Sequence, residues 1–134
     1  MSRVRILIVT HGAIAGEMLA TLRQLLGDAV GDDFAALEIP VGGVRQDTAA
    51  RISEAVAALD DGAGVVVAVD LHGSTPANCT ADLVRAHERP LAVLAGVNLP
   101  MLMKLATLAR EGTTPGELAR GAAETGRKSI QVSP

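Results

Sequence analysis

Aromatic side chains are almost absent from this chain of 134 residues, which has one phenylalanine, Phe34, and neither tryptophan nor tyrosine. Its core must therefore be aliphatic, built from Val, Ile, Leu, Ala and Met. One ring gives no stacking surface for bases, and the sequence has no run of basic residues, so nucleic acid is not expected as a ligand. The 12 Lys and Arg against 15 Asp and Glu give a net charge of −3.

Cysteine and long apolar runs are also scarce. Cys79 is the only cysteine, which excludes an internal disulfide and fits a reducing compartment. The apolar run at residues 6–9 is too short for a signal peptide, and no stretch reaches the length of a membrane span. We expect a cytoplasmic protein that meets a membrane only through partner subunits.

The sequence has no nucleotide-binding loop, neither G-x-x-x-x-G-K-[ST] nor G-x-G-x-x-G after a strand. Its three histidines, His11, His72 and His87, lack the spacing of metal ligands. We therefore expect no cofactor and no metal. His87, beside charged residues near a helix end, is interpreted as ordinary surface.

Short aliphatic runs alternate with helical periodicity along residues 1–134, which predicts one α/β domain. Strands are predicted over residues 5–10, 34–41, 64–70 and 91–95. Helices are predicted over residues 14–26, from an Asp47 cap to the Asp61-Gly62 turn, from a Thr75 cap, over 99–109, and from a Thr114 capping box to Thr125. A short last strand is predicted over 128–132. This order indicates a single open parallel sheet with helices on both faces.

Three polar loops follow the first, third and fourth strands, at residues 10–12, 70–76 and 96–100. Carboxyl ends of parallel strands meet at one edge of the sheet, where ligands bind in such folds. His11 there has a nucleophilic ring nitrogen, and Asp70 on the neighbouring strand is placed to fix its tautomer. The alternatives are that His11 is only a polar strand end and that Asp70 braces the loop.

The loop after the third strand carries Gly73, Ser74 and Thr75 at the start of a helix. Free N–H groups and the positive helix end favour an anion there, so the loop is a candidate phosphate cradle. Thr75-Pro76 is equally a good helix start without any ligand. His72, in the same loop, is expected to be solvated, with a part in catalysis as the less favoured alternative.

Three segments resemble the mannose-family IIA proteins of the sugar phosphotransferase system, in order and at similar spacing. Residues 8–12, IVTHG, resemble the family's active-site segment. Residues 70–78, DLHGSTPAN, are similar to its D-L-x-G-G-[ST]-P-x-N loop, and residues 95–102, AGVNLPML, to its A-G-V-N-[LI]-P-M-L segment. The resemblance covers nearly the whole chain.

The resemblance implies a phosphotransferase that carries phosphate on His11, accepted on Nε2 from the phosphocarrier protein HPr and passed to a IIB partner. It implies that Asp70 orients His11 and that Thr75 lies near the phosphate. It also implies a homodimer in which the C-terminal strand, 128–132, pairs with the partner subunit. The apolar segment after the fourth strand is expected to bind the protein partners; its residues are Val97, Asn98, Leu99, Pro100 and Met101.

Two residues depart from the family pattern: Ser74 replaces a glycine, and His72 replaces a larger apolar or aromatic residue. Ser74 bears on the geometry of the phosphate cradle and His72 on the fit of the partner, and neither changes the role expected for His11. Apart from these departures, other functions stay open. The chain is alternatively a regulatory phosphoprotein without sugar transport, the phosphocarrier subunit of a dihydroxyacetone kinase, or a flavodoxin-like binding domain in which His11 is inert.

Overall fold

Short aliphatic strands form a parallel sheet in the computed structural model, which describes residues 2–86, 89–108 and 110–134. The strands of this described part are β1 (Arg5–His11), β2 (Phe34–Ile39), β3 (Val65–Val69) and β4 (Leu91–Ala95). Its helices are α1 (Ile14–Leu26), α2 (Arg45–Leu59), α3 (Thr75–Ala86), α4 (Leu99–Thr107) and α5 (Pro115–Lys128), with a 3₁₀ turn at Gly27–Ala29. The predicted single-domain α/β fold is confirmed.

The sheet order is β2-β1-β3-β4. The chain leaves β1 for β2 on one side and returns past β1 to β3 on the other, so strand order reverses between β1 and β3. Val9 of β1 pairs with Val69 of β3, and His11 pairs with Ile39 of β2. The last residue of β1 therefore lies at the reversal point, where open α/β sheets form their binding crevice.

Two aliphatic layers cover the sheet, because successive strand residues point to opposite faces. Ile6 and Ile8 of β1 pack under α1, α4 and α5, whereas Leu7 and Val9 pack under α2 and α3. All five residues of β3 are buried, as a central parallel strand requires. The same alternation sends the Thr10 side chain toward α1 and that of His11 toward the opposite face.

The C-terminal segment does not form the predicted strand within this chain. Helix α5 continues to Lys128, three residues beyond the predicted end, and Ser129 then caps it by donating from Oγ to the carbonyl oxygen of Thr125 at 2.7 Å. Residues 129–134 are exposed and form no strand. A strand needs a neighbouring strand to form hydrogen bonds with its backbone N–H and C=O groups. None of the described strands of this chain pairs with residues 129–134.

Smaller differences concern element ends. Strand β2 stops at Ile39, before Pro40 and not at residue 41, because proline has no N–H for the ladder. The predicted cap at Asp47 is wrong: α2 begins at Arg45 after Val44, and Asp47 lies in its first turn. Ala109, the predicted end of α4, and His87 lie outside the described residues. No helix in the described ranges is long and apolar enough to cross a membrane.

Candidate functional site

His11 and Asp70 meet across the point where strand order reverses. His11 Nδ1 lies 2.9 Å from Asp70 Oδ2, and the backbone N–H of His11 donates to the same oxygen at 2.9 Å. The other oxygen, Oδ1, accepts the N–H of Leu71 at 2.9 Å. The side-chain contact expected from strand positions is present, and the carboxylate also holds the backbone of the residue that it contacts.

The electrostatics of this pair define a tautomer for His11. Burial of the Asp70 carboxyl acts to raise its pKa, but hydrogen bonds from the backbone and ring of His11 and from Leu71 outweigh it, and the pKa of Asp70 lies below its ordinary value. An ionised carboxylate can only accept hydrogen bonds. The Nδ1 atom of His11, which contacts Asp70 Oδ2, is therefore assigned a proton. In the neutral form of the ring, Nε2 then keeps its lone pair, on a side chain that is 26% exposed.

Ser74, not Thr75, caps helix α3. The N–H of Ala77 donates to Ser74 Oγ at 3.3 Å, and Ser74 Oγ donates to the carbonyl oxygen of Leu71 at 2.7 Å. The predicted cap at Thr75 is therefore wrong by one residue. Proline lacks an N–H and tolerates either of the first helical positions, so Pro76 did not fix the helix start. The Ser74 hydroxyl is occupied by the loop's own hydrogen bonds.

Unused N–H groups remain in this loop. Among the described residues, the N–H groups of Gly73 and Thr75 have no hydrogen-bond partner. Gly73 has a φ of +78°, a left-handed conformation that favours glycine, and its carbonyl oxygen accepts from Asn78 Nδ2 at 3.3 Å. Such groups at a helix N-terminus suit an anion. His72 is exposed, and no hydrogen bond joins it to His11 in the described part of the chain.

The loop after β4 presents fewer of its residues than the sequence predicted. Val97 and Met101, expected at a partner surface, are buried in the core under α1, α4 and α5, because apolar residues before and within a helix pack inward. Asn98 caps α4 by accepting the N–H of Met101 at 3.0 Å. Leu99 and Pro100 remain partly exposed.

Sequence reasoning missed an apolar cleft that adjoins the His11 loop. Leu99 lines it together with Ala13, Ile14 and Met18, with Glu17 and Thr21 also at its wall, and its volume is about 400 Å³. Ile14, three residues after His11, is an apolar side chain that is 46% exposed. The available signal was an apolar residue in the first turn of the predicted helix, next to the His11 loop.

Thr10 was also missed. Its side chain is fully buried, and its Oγ1 accepts the N–H of Ala15 in helix α1 at 2.7 Å. The sequence did contain a signal for Thr10: it is a hydroxyl residue at the end of an otherwise aliphatic strand, and the helix that follows has no capping residue.

The chemistry that this arrangement supports is nucleophilic attack by a neutral imidazole. Nδ1 of His11 contacts the Asp70 carboxylate, which in the neutral ring leaves the lone pair on Nε2, and the start of helix α3 lies at the same edge of the sheet. No three His, Cys, Asp or Glu side chains are grouped as metal ligands among the described residues.

Comparison with known families places this chain among the IIA components of the sugar phosphotransferase system. Residues 5–122 match EIIA-man, the family described as PTS system fructose IIA component. The chain belongs to this family, and the resemblance found in its sequence is confirmed.

Known relatives agree with this assignment. The chain is 30% identical over 129 residues to the PTS system mannose-specific EIIAB component of Escherichia coli K12, covering 96% of this chain and 39% of that protein. The same figures hold for the protein of that description in Shigella flexneri. The chain therefore spans about two-fifths of the length of these relatives.

Solved structures share the fold. The mannose/sorbose-specific IIA subunit from Enterococcus faecalis superposes with a TM-score of 0.84 at 22% identity, covering 98% of this chain and 96% of that one. EIIA from Streptococcus agalactiae gives 0.81 at 22% identity, covering 96% of each chain. A sigma-54 interaction domain protein from Enterococcus faecalis gives 0.79 at 15% identity, covering 95% and 93%. At these identities the likeness concerns the fold alone.

Proposed function

We propose that this chain is a phosphoryl carrier of the phosphoenolpyruvate-dependent sugar phosphotransferase system. In this proposal His11 accepts a phosphoryl group from phospho-HPr and passes it to a IIB partner. The observation that supports it is the His11–Asp70 contact of 2.9 Å, which leaves Nε2 as the free nitrogen of a partly exposed ring. Membership of the EIIA-man family supports the same direction.

The transfer exchanges one phosphorus–nitrogen bond for another. The Nε2 lone pair attacks the phosphorus of phospho-HPr, and the donor's phosphorus–nitrogen bond breaks with its electron pair returning to the donor's ring. His11 keeps the proton on Nδ1, and positive charge grows on its ring. The Asp70 carboxylate stabilises that charge through the existing hydrogen bond, with no reorganisation during the step. The same steps in reverse deliver the group to the histidine of IIB.

The phosphoryl oxygens would be held by the loop after β3. We assign the contacts to the N–H groups of Gly73 and Thr75 and to the Thr75 hydroxyl, because these unused donors of the loop lie next to the start of α3. Within the described residues the N–H of His72 is also unused but lies further from the helix. Ser74 contributes indirectly, since its hydroxyl already bridges Leu71 and Ala77. A helix N-terminus and aligned N–H groups stabilise the extra negative charge.

Both protein partners would dock on the partly exposed apolar residues beside the His11 loop. Leu99 of α4 and Ile14 of α1 supply this surface from the cleft, and the partly exposed Pro100 lies beside Leu99. Asn98 shapes the segment through its cap, and the buried Val97 and Met101 support it from below. A carrier must release each partner, so a small and transient interface of under about 1,200 Å² in total is expected.

A homodimer remains part of the proposal. Ile130 and Val132 are exposed in the segment after α5, and β4 is an edge strand of the sheet. An unpaired edge accepts a further strand, so we propose that residues 129–134 become a strand by pairing with the partner subunit. Contact with a membrane would occur only through other subunits of a transport complex.

Reconstitution from phosphoenolpyruvate, enzyme I, HPr and a IIB protein tests the proposal. Wild type should gain phosphate and lose it to IIB on addition of that partner. His11→Gln should gain none. His72→Gln, which changes an exposed histidine of the loop after β3, should behave as wild type. Phosphate that stays on the chain in the presence of a competent IIB would identify a regulatory phosphoprotein instead.

A further inference from the structure

Thr10 joins the end of a strand to the start of the following helix. Its Oγ1 accepts the N–H of Ala15 at 2.7 Å, and both residues are fully buried. The residue in the cap position of α1 is Ala13, which makes no side-chain hydrogen bond to the helix. The Thr10 hydroxyl therefore satisfies an orphan N–H that a cap residue normally satisfies.

Between these two bonded residues the chain makes the turn that carries His11. Gly12 has a φ of +56°, a left-handed conformation, and its N–H donates to the carbonyl oxygen of Ile39 at 2.9 Å. The N–H of His11 donates to Asp70. Two hydrogen bonds thus hold the strand side of the turn, and the Thr10 hydroxyl holds its helix side.

We propose that Thr10 is a positioning residue for His11, an inference that rests on the proposed function. Its hydroxyl fixes the start of α1 against the end of β1, and so keeps the His11 ring with Nδ1 toward Asp70 and Nε2 outward. The side chains of Thr10 and His11 lie on opposite faces of the sheet, so the effect passes through the backbone of the turn.

Loss of the hydroxyl has a defined consequence. The buried N–H of Ala15 is left without a partner, and a buried unsatisfied donor is unfavourable. The first turn of α1 must then move or fray to reach another acceptor. Gly12 permits that movement, because glycine adopts many backbone conformations at little cost. The His11 ring, whose own backbone N–H and Nδ1 both contact Asp70 at the start of this turn, then loses its single orientation.

Three substitutions separate this role from plain stability. Thr10→Val removes the hydroxyl and keeps the shape, and Thr10→Ser keeps the hydroxyl. Thr114→Val is the matched control, since Thr114 Oγ1 also accepts a helix N–H, that of Glu117, at 3.2 Å. That cap lies at the opposite edge of the sheet, where Pro115 adjoins Gly64 just before β3.

The readouts are the His11 tautomer, from ¹⁵N NMR of histidine-labelled protein, and the rate of phosphorylation by phospho-HPr at saturation. Thr10→Val should show a mixture of tautomers and a rate lowered by at least about tenfold, with the KM for HPr unchanged. Thr10→Ser should restore both readouts. Thr114→Val should lower the urea midpoint and leave both readouts as in wild type.

An unchanged tautomer in folded Thr10→Val overturns the inference, whatever the rate. If Thr10→Val does not fold, Thr10→Ser and Thr10→Ala, which both lack the methyl group, give the same comparison, and equal tautomers in the two would overturn it. Failure of the proposed function looks different. Wild type would then take no phosphate from HPr, while the tautomer would still depend on the hydroxyl at residue 10.

Discussion

One oxygen atom of Asp70, Oδ2, accepts both the backbone N–H and the ring Nδ1–H of His11, each at 2.9 Å. The two residues are 59 positions apart; His11 ends β1 and Asp70 directly follows the neighbouring β3, so the sheet itself brings them together. A single carboxylate therefore fixes the position of the His11 backbone, the orientation of its ring and the nitrogen that stays free.

Asp70→Asn is expected to slow phosphoryl transfer by about 10²-fold or more, because a neutral amide neither selects the Nδ1–H tautomer nor stabilises positive charge on the ring. A rapid-quench measurement with phospho-HPr gives the rate. Asp82→Asn is the control, since Asp82 is an exposed aspartate of α3 that pairs with Arg45 at the surface. Equal rates for Asp70→Asn and wild type would contradict the proposed role of Asp70.

Asp70 should also make folding sensitive to acid. Its pKa is lower in the folded protein than its ordinary value of 3.8, so its stabilising effect is fully present above that value. The effect is lost as the pH falls through the lower, folded-state pKa. Urea unfolding between pH 7 and pH 2.5 should show a smaller acid-induced loss of unfolding free energy in Asp70→Asn than in wild type. Parallel curves would contradict the expectation.

Ile14→Asp is expected to weaken docking, because it puts a charge into the apolar cleft beside the His11 loop. The KM for phospho-HPr should rise by about tenfold, with the rate at saturation little changed. Leu25→Asp is the matched control: Leu25 is 56% exposed on the same helix, about 16 Å further along it. A similar rise in both variants would show that the cleft has no special part in docking.

Ser74 and Thr75 should respond differently to loss of their hydroxyls. Ser74→Ala removes the cap of α3 and should lower the free energy of unfolding by about 1 kcal/mol, measured with urea. Thr75→Val should mainly lower the rate of phosphoryl transfer, with little change in the free energy of unfolding, since we assign its hydroxyl to the phosphoryl group. If Ser74→Ala slows transfer more than Thr75→Val does, the two assignments must be exchanged.

Much of the fold follows from pattern alone. Residues 65–69, VVVAV, are apolar at every position, and only a central strand covered on both faces buries such a run. Parallel pairing then puts the ends of β1 and β3 at one edge, which is why the contact of His11 with Asp70 was predictable from sequence order. The length of this contact and the second hydrogen bond, from the backbone of His11, could not be predicted in this way.

Other features depend on tertiary contacts that the sequence does not display. Arg110 is buried and pairs with Asp33 at 2.7 Å, although 77 positions separate them. Apolar residues after β4 suit both a surface for a partner and the protein core. Residue type alone therefore could not predict that Val97 and Met101 are buried. The cap at Ser74 was missed because Thr75-Pro76 offers an equally good local pattern.

The most direct test of the central claim is the intact mass of wild type and His11→Ala after incubation with phosphoenolpyruvate, enzyme I and HPr. Wild type should gain the mass of one phosphoryl group, acid should remove it, and His11→Ala should gain none. An equal gain in His11→Ala, or no gain in wild type while HPr is demonstrably phosphorylated, would contradict the claim that His11 carries the phosphate.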